Sequence, residues 1–301
     1  MRHLPVLLKE TITALNLAPG KNAVDCTLGD AGHSEAILER TAPNGMLLGI
    51  DTDIEAILCA KRFLYRFEDR VKLVKSNFAH LKRIIEENNF QPVQAILLDL
   101  GWSSPQFEER GRGFSFQKNE PLDMRYAVDV KEETAAEILN NYSEEGLKNI
   151  FKNFGEEKFA SEIAAAVVLN RKSKKIEKTG ELVELILRVY REKFKTDKEM
   201  PWIGGIHPAT KVFQALRIAV NKELEVLKEV LPQAMELLTP GGRLAVISFH
   251  SLEDRIVKQY FQKINNKLGK IVNKKPIVAS EEEIKNNPRS RSAKLRIIEK
   301  V

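Results

Sequence analysis

The chain has 301 residues, 43% of them hydrophobic and 30% charged, with a formal net charge of +6. It is long enough to bury a large core, and its length suggests two domains. No apolar run approaches the roughly 20 residues of a membrane span, which excludes an integral helical membrane protein. The opening Met1-Arg2-His3-Leu4-Pro5-Val6 lacks a signal peptide's long apolar region. Two cysteines, Cys26 and Cys59, make no disulfide framework and suit a reducing, cytoplasmic location. The positive charge permits a polyanionic partner without establishing one.

His3 to Leu17 reads as an entry segment with a helix, stopped by Pro19-Gly20. Asn22-Ala23-Val24-Asp25-Cys26-Thr27-Leu28-Gly29-Asp30-Ala31-Gly32-His33-Ser34 then reads as a strand, a tight glycine turn and the start of a helix over 34–40. A helix N-terminus that follows a strand in this way is where an α/β sheet holds nucleotide-like ligands. A second apolar strand, Gly45 to Ile50, ends in Asp51 about 20 residues after the turn, where such folds place a ribose-binding acid. Val71 to Asn77, followed by Phe78, predicts a third strand. Ala95-Ile96-Leu97-Leu98-Asp99-Leu100 predicts a fourth that again ends in an acid. Helices are expected near 54–65 and 79–88, and regular alternation implies a parallel sheet.

After Asp99 the pattern becomes irregular. Gly101-Trp102-Ser103-Ser104-Pro105-Gln106 leaves a strand's carboxyl end, where open α/β sheets keep their chemistry. Arg110-Gly111-Arg112-Gly113-Phe114-Ser115-Phe116 and Pro121-Leu122-Asp123-Met124-Arg125 extend a long loop. Its interleaved arginines and rings suit phosphates and unstacked bases, or else form a solvated structural loop. Helices are expected over 143–154, 156–170 and 179–194, the last with Thr179 as N-cap and Glu181 in its first turn. This stretch reads as an inserted helical domain. Arg171-Lys172-Ser173-Lys174-Lys175 joins two of its helices, as a solvated connection or an RNA contact. The α/β pattern resumes with a helix from His207-Pro208-Ala209-Thr210, a new segment at Pro232, and a strand over 243–249. A helix capped by Ser251 with Asp254 three residues on follows, then a basic stretch and a last strand over 295–298.

Several segments together resemble the ribosomal small subunit methyltransferase H (MraW) family. They are Asp25 to Ser34, Leu98 to Gln106, Arg112 to Phe116, Pro121 to Arg125, His207 to Thr210 with Phe213 to Ile218, Ser248-Phe249-His250-Ser251-Leu252-Glu253-Asp254-Arg255, and Asn287-Pro288-Arg289-Ser290-Arg291-Ser292. They span nearly the whole chain in order. The resemblance implies a class I S-adenosylmethionine-dependent methyltransferase fold: an α/β, Rossmann-like seven-stranded sheet with an inserted all-helical domain. It places the methyltransferase domain at 1–109 and 205–301, with the insert at 110–204 serving substrate recognition. The implied activity is N4-methylation of a cytosine in the decoding centre of 16S ribosomal RNA. The implied partner is that RNA within the small ribosomal subunit, with no membrane and no metal, for a monomer or a homodimer.

By the same resemblance Ala31, Gly32 and His33 line the methionine part of the S-adenosylmethionine cofactor. Asp51 holds its ribose, Phe78 lies at the adenine, and Asp99 and Gln106 complete the pocket. Two positions depart from the family pattern: Ala31 stands where glycine is usual, and Trp102 where a small aliphatic residue is usual. Trp102 either stacks on the target base or packs against the insert.

The chemistry adds its own constraints. The exocyclic N4 of cytosine is a poor nucleophile, so an enzyme must hold it in line with the methyl donor and accept one of its N–H bonds. Positioning of this kind is worth about 7–11 kcal/mol in favourable cases. Asp99, beside Ser103 and Ser104, is the candidate acceptor, or it binds cofactor alone. A C5-methyltransferase needs a cysteine nucleophile in that loop, and neither cysteine lies there. Arg112, Arg125, Arg289 and Arg291, with Lys294, are the candidate RNA contacts. His250 either borders the base pocket or caps locally. The five histidines show no zinc-ligand pairing. An NAD-dependent oxidoreductase shares the glycine turn but lacks G-x-G-x-x-G and gives the basic tail no purpose. A non-catalytic RNA-binding assembly factor is the other alternative.

Overall fold

A computed structural model describes residues 4–101, 111–127, 132–196 and 207–301. Trp102, Ser103, Ser104 and Gln106 lie outside the described residues. The chain divides into two compact units, one formed by Met1–Ser104 with Leu224–Val301 and the other by Pro105–Glu223.

The first unit is built on seven strands: β1 (Ala23–Asp25), β2 (Leu47–Asp51), β3 (Val71–Lys75), β4 (Val93–Asp99), β5 (Leu238–Ser248), β6 (Gly269–Ile271) and β7 (Lys294–Lys300). Their order in the sheet is β3-β2-β1-β4-β5-β7-β6. The first five run parallel, while β7 lies antiparallel between β5 and β6. β1 and β4 read as near-continuous apolar runs because both of their faces are covered. On one face Val24, Leu48, Ile50, Ile96 and Leu98 pack with Leu81, Leu231 and Phe261. On the other, Ala23, Leu47, Leu97 and Ile247 pack with Leu7, Ile37 and Leu38.

Helices α1 (Leu8–Ala14), α2 (Gly32–Arg40), α3 (Ile54–Phe63) and α4 (Leu81–Glu87) alternate with the early strands. α3 begins under a side-chain cap, Asp53 accepting the backbone N–H of Glu55 at 3.1 Å. The second unit holds α5 (Ala135–Asn141), α6 (Glu144–Gly155), α7 (Ala160–Asn170), α8 (Thr179–Phe194) and α9 (Ala209–Asn221). α10 (Glu223–Leu237), α11 (Ser251–Ile264) and α12 (Glu281–Asn286) complete the α/β portion.

Several local expectations are corrected. The boundary expected at 204/205 assigns α9 to the sheet domain, but α9 packs with the helical unit. Its close crossing with α6 occurs at Gly155, where an added Cβ would lie 2.5 Å from the Lys211 carbonyl oxygen. Pro232 starts no segment and lies inside α10. Thr179 is not the cap of α8 but its first residue. Its hydroxyl donates to the Lys118 carbonyl at 2.6 Å and accepts the Glu120 N–H at 3.0 Å, anchoring the 111–127 loop. The cap of α11 is His250 rather than Ser251, and the reciprocal acid is Glu253 rather than Asp254. Asp254 is instead held by Arg296 at 2.6 Å.

Candidate active site

The glycine turn after β1 is fixed by three aspartates on adjacent strand ends, two through their carboxylates and the third through its backbone N–H. Asp25, fully buried, accepts the Ser34 hydroxyl at 2.7 Å and the Thr27 N–H at 3.1 Å. Burial pushes its carboxyl up from the ordinary range. Asp51, at the end of β2, accepts the N–H of Gly29 at 3.0 Å through Oδ2 and that of Asp53 at 2.9 Å through Oδ1. Each oxygen keeps a further lone pair for an outside donor. Burial raises the Asp51 carboxyl to about 6. Asp99, at the end of β4, donates its backbone N–H to the Thr27 hydroxyl at 2.7 Å.

His33 lies in the first turn of α2, with its Nε2 3.4 Å from Asp99 Oδ2. Burial alone would keep the ring neutral, but Asp99 outweighs it and Asp25 adds to the effect, so the imidazole pKa is raised. The Asp99 Oδ1 atom is buried and makes no hydrogen bond among the described residues. A buried carboxylate oxygen without a donor is costly unless a bound group completes it.

The turn itself needs unusual backbone. Gly29 has φ +48° and Ala31 φ +58°, and Ala31 is completely buried. Gly32 is required by close approach, because a Cβ there would run into the Pro5 ring. Phe78 follows β3 and opens a short 3₁₀ turn, where Asn77 caps the Ala79 N–H at 2.9 Å; Phe78 packs partly buried against the core. The fold therefore brings Ala31, Gly32, His33, Asp51, Phe78 and Asp99 to the carboxyl edge of the parallel strands.

The β5 end adjoins the same edge, since Leu100 donates to the Ile247 carbonyl at 2.9 Å. The Phe249 ring lies against Gly101, which has φ +101°. His250 Nδ1 faces the Glu253 N–H at 3.5 Å, and its Nε2 lies 3.2 Å from Glu253 Oε1, so the local capping role is realised. Lys294 is 3.4 Å from Asp254, tying it into the Arg296 cluster. Arg289 and Arg291 lie on a 3₁₀ turn (Pro288–Ser292), Arg289 half-buried and Arg291 exposed.

Two expected RNA contacts have structural partners. Within the helical unit, Arg125 forms a bidentate pair with Asp123 at 2.7 and 2.8 Å. Arg112 donates to the Arg125 and Tyr126 carbonyls at 3.3 and 3.2 Å. The rings expected to meet bases are also engaged: Phe114 stacks on Tyr126, and Phe116 stacks on His207 with its edge toward Phe213. The arginines are taken up by a carboxylate and backbone carbonyls, and the rings by other rings. Sequence reading missed Thr27, Ser34 and Glu253; the only signal for them was their place beside acids and helix starts.

Five parallel strands, a reversed β7 inserted between β5 and β6, and aspartates at the carboxyl ends of β1, β2 and β4 define the class I methyltransferase fold, the architecture of S-adenosylmethionine-dependent enzymes. The MraW methylase family matches residues 1–301, and the chain belongs to it. The chain is 47% identical over 315 residues to a ribosomal RNA small subunit methyltransferase H of Dehalococcoides mccartyi, covering 99% of this chain and 86% of that protein. It is 46% identical over 319 residues to the protein of that name in Acetivibrio thermocellus, covering 100% and 99%. Among solved structures, an rRNA methylase from Streptococcus thermophilus aligns over 100% of this chain and 99% of that one, with TM-score 0.46 and 11% identity. No helix among the described residues is long and apolar enough to cross a membrane.

Proposed function

We propose that this methyltransferase modifies 16S ribosomal RNA in the small subunit, in the cytoplasm, and that its target is N4 of a cytosine in the decoding centre. The names of its relatives support the substrate class. The observation that carries the chemistry is the Oδ1 atom of Asp99, which is buried and accepts no hydrogen bond among the described residues although the residue as a whole is partly exposed. S-adenosylmethionine supplies an electrophilic methyl carbon on a sulfonium.

Asp51 accepts the ribose hydroxyls, for which each of its oxygens has a free lone pair. The backbone of Ala31, Gly32 and His33 cradles the methionine end, Phe78 flanks the adenine, and Gln106 completes the pocket. Asp99 accepts an N–H of the target amine, holding its lone pair toward the methyl carbon. Ser103 and Ser104 orient the base, and Trp102 borders it. His33, 3.4 Å from its Oδ2, keeps Asp99 in one orientation. Arg291 and Arg289, with Lys294 behind them and His250 at the rim of β5, meet the RNA backbone. Arg112 and Arg125 shape a recognition loop in the helical unit, whose role is substrate recognition. Extruding the base costs a few kcal/mol, less where the RNA is already distorted, so a partly assembled subunit is the preferred substrate.

Transfer of labelled methyl from S-adenosylmethionine to small-subunit particles tests this reading. The intact protein should label one cytosine, and Asp99→Ala should abolish labelling while cofactor binding survives. Cofactor binding without any transfer would point to a non-catalytic assembly factor.

A further inference from the structure

Leu4–Leu7 belongs to no helix or strand, yet Val6 and Leu7 are buried in the core. Five contacts hold this strap. The Leu7 N–H donates to Glu283 Oε1 at 2.7 Å, and the Leu4 carbonyl accepts from Asn287 Nδ2 at 3.1 Å. Leu7 takes up a left-handed backbone, φ +53°, from which its carbonyl accepts the Thr11 N–H at 2.8 Å. The Pro5 ring fills the space a Cβ on Gly32 would need. The Val6 carbonyl faces the His33 ring. The strap therefore backs the same Gly32-His33 turn that lines the candidate cofactor site.

On its other side the strap rests on a rigid junction. Asn287 is nearly buried; its N–H donates to the Glu283 carbonyl at 2.6 Å. Its own carbonyl accepts both the N–H and the hydroxyl of Ser290, at 3.0 and 2.8 Å, and Ser290 is fully buried. That pair of bonds shapes the turn carrying Arg289 and Arg291. A strap without ladder hydrogen bonds depends on such side chains, beside its buried Val6 and Leu7, for its position, so order at one end is linked to order at the other.

We infer that Glu283 and Asn287 are positioning residues: through Leu4–Leu7 they hold Pro5 against Gly32 and so set the geometry of the cofactor turn. This rests on the reading of that turn as the S-adenosylmethionine site. Binding there and ordering of the Pro288–Ser292 turn are then coupled in both directions.

The test is S-adenosylmethionine binding to the full chain by calorimetry, with amide hydrogen exchange as a second readout. Glu283→Ala and Asn287→Ala should each weaken affinity about tenfold, while Glu283→Gln, which keeps an acceptor for the Leu7 N–H, should stay close to wild type. In the wild-type protein the ligand should slow exchange at the Leu7 and Ser290 amides. Unchanged affinity in both alanine variants, or ligand protection confined to the glycine turn, would overturn the inference. Should an alanine variant not fold, the wild-type exchange result decides alone. A wild-type chain that binds no S-adenosylmethionine would overturn the cofactor reading, and the inference with it.

Discussion

The Thr27 hydroxyl accepts the backbone N–H of Asp99 at 2.7 Å, joining the turn after β1 to the end of β4 across two adjacent strands. A side chain thus continues the sheet's pairing where the ladder has ended, and it fixes the strand end that carries the candidate catalytic acid. Thr27→Val keeps the shape and deletes the acceptor. Leaving that N–H unmet should cost about 1–3 kcal/mol of stability, read by urea unfolding. Methyl transfer should fall more than S-adenosylmethionine affinity, and Thr27→Ser should restore both.

Asp51 links pH to stability and to ligand binding. Its folded-state carboxyl holds a proton up to about 6, against an ordinary value of 3.8. Between those values the folded state binds more protons than the unfolded one, so this residue's contribution to stability falls as pH rises across that window. A ribose donating hydrogen bonds favours the ionised carboxylate. Affinity for S-adenosylmethionine should therefore increase as pH rises through about 6, with proton release visible in calorimetry. Asp51→Asn should weaken binding and remove the dependence.

Ala31 carries a side chain in the left-handed region, φ +58°. That conformation costs an L-residue roughly 1–2 kcal/mol, which exceeds glycine's greater loss of chain entropy on folding. Ala31→Gly should thus stabilise the protein by about 0.5–1 kcal/mol, measured by chemical denaturation. A β-branched Ala31→Val should do the opposite.

Gly155 closes α6 at its crossing with α9, where a Cβ would lie 2.5 Å from the Lys211 carbonyl oxygen and 3.3 Å from the Ala215 methyl. The nearest neighbour is backbone and cannot turn aside. Gly155→Ala should destabilise the helical unit by about 1–3 kcal/mol, seen as a lower melting temperature.

Arg291 and Arg125 should respond differently to charge reversal. Arg291 is exposed, so Arg291→Glu should leave melting nearly unchanged, weaken binding to small-subunit RNA and reduce the salt slope by about one. Arg125 holds Asp123, whose carboxyl is pushed below its usual range because the Arg125 hydrogen bonds outweigh its partial burial. Arg125→Glu should cost about 1–3 kcal/mol of stability as well as RNA affinity. Melting curves beside filter binding at several salt concentrations separate the two.

The parallel strands were legible because each joins an apolar run to a turn: Leu47–Asp51 and Val93–Asp99 could scarcely be read otherwise. Asp51 and Asp99 stood out for the same reason, as acids ending such runs. Less visible were elements whose logic is not local. β6 has three residues and takes its register from β7. The cap of α11 slipped by one residue because His250 with Glu253 and Ser251 with Asp254 share a spacing. What separates them is Arg296, 42 positions after Asp254, which claims that carboxylate. Thr179 misled in the same way, since its hydroxyl serves a loop some 60 residues earlier. The arginines of the 111–127 loop looked available for phosphate because their carbonyl and carboxylate partners appear only in three dimensions.

β7 is the last of the seven strands to be synthesised, yet it lies inside the sheet, between β5 and β6. During translation, β5 must wait with one bare edge and β6 with no neighbour until residues 294–300 arrive. An unpaired edge invites pairing with another chain. The nascent protein thus passes through a stage at which five-sevenths of its sheet is laid down but open along the β5 edge.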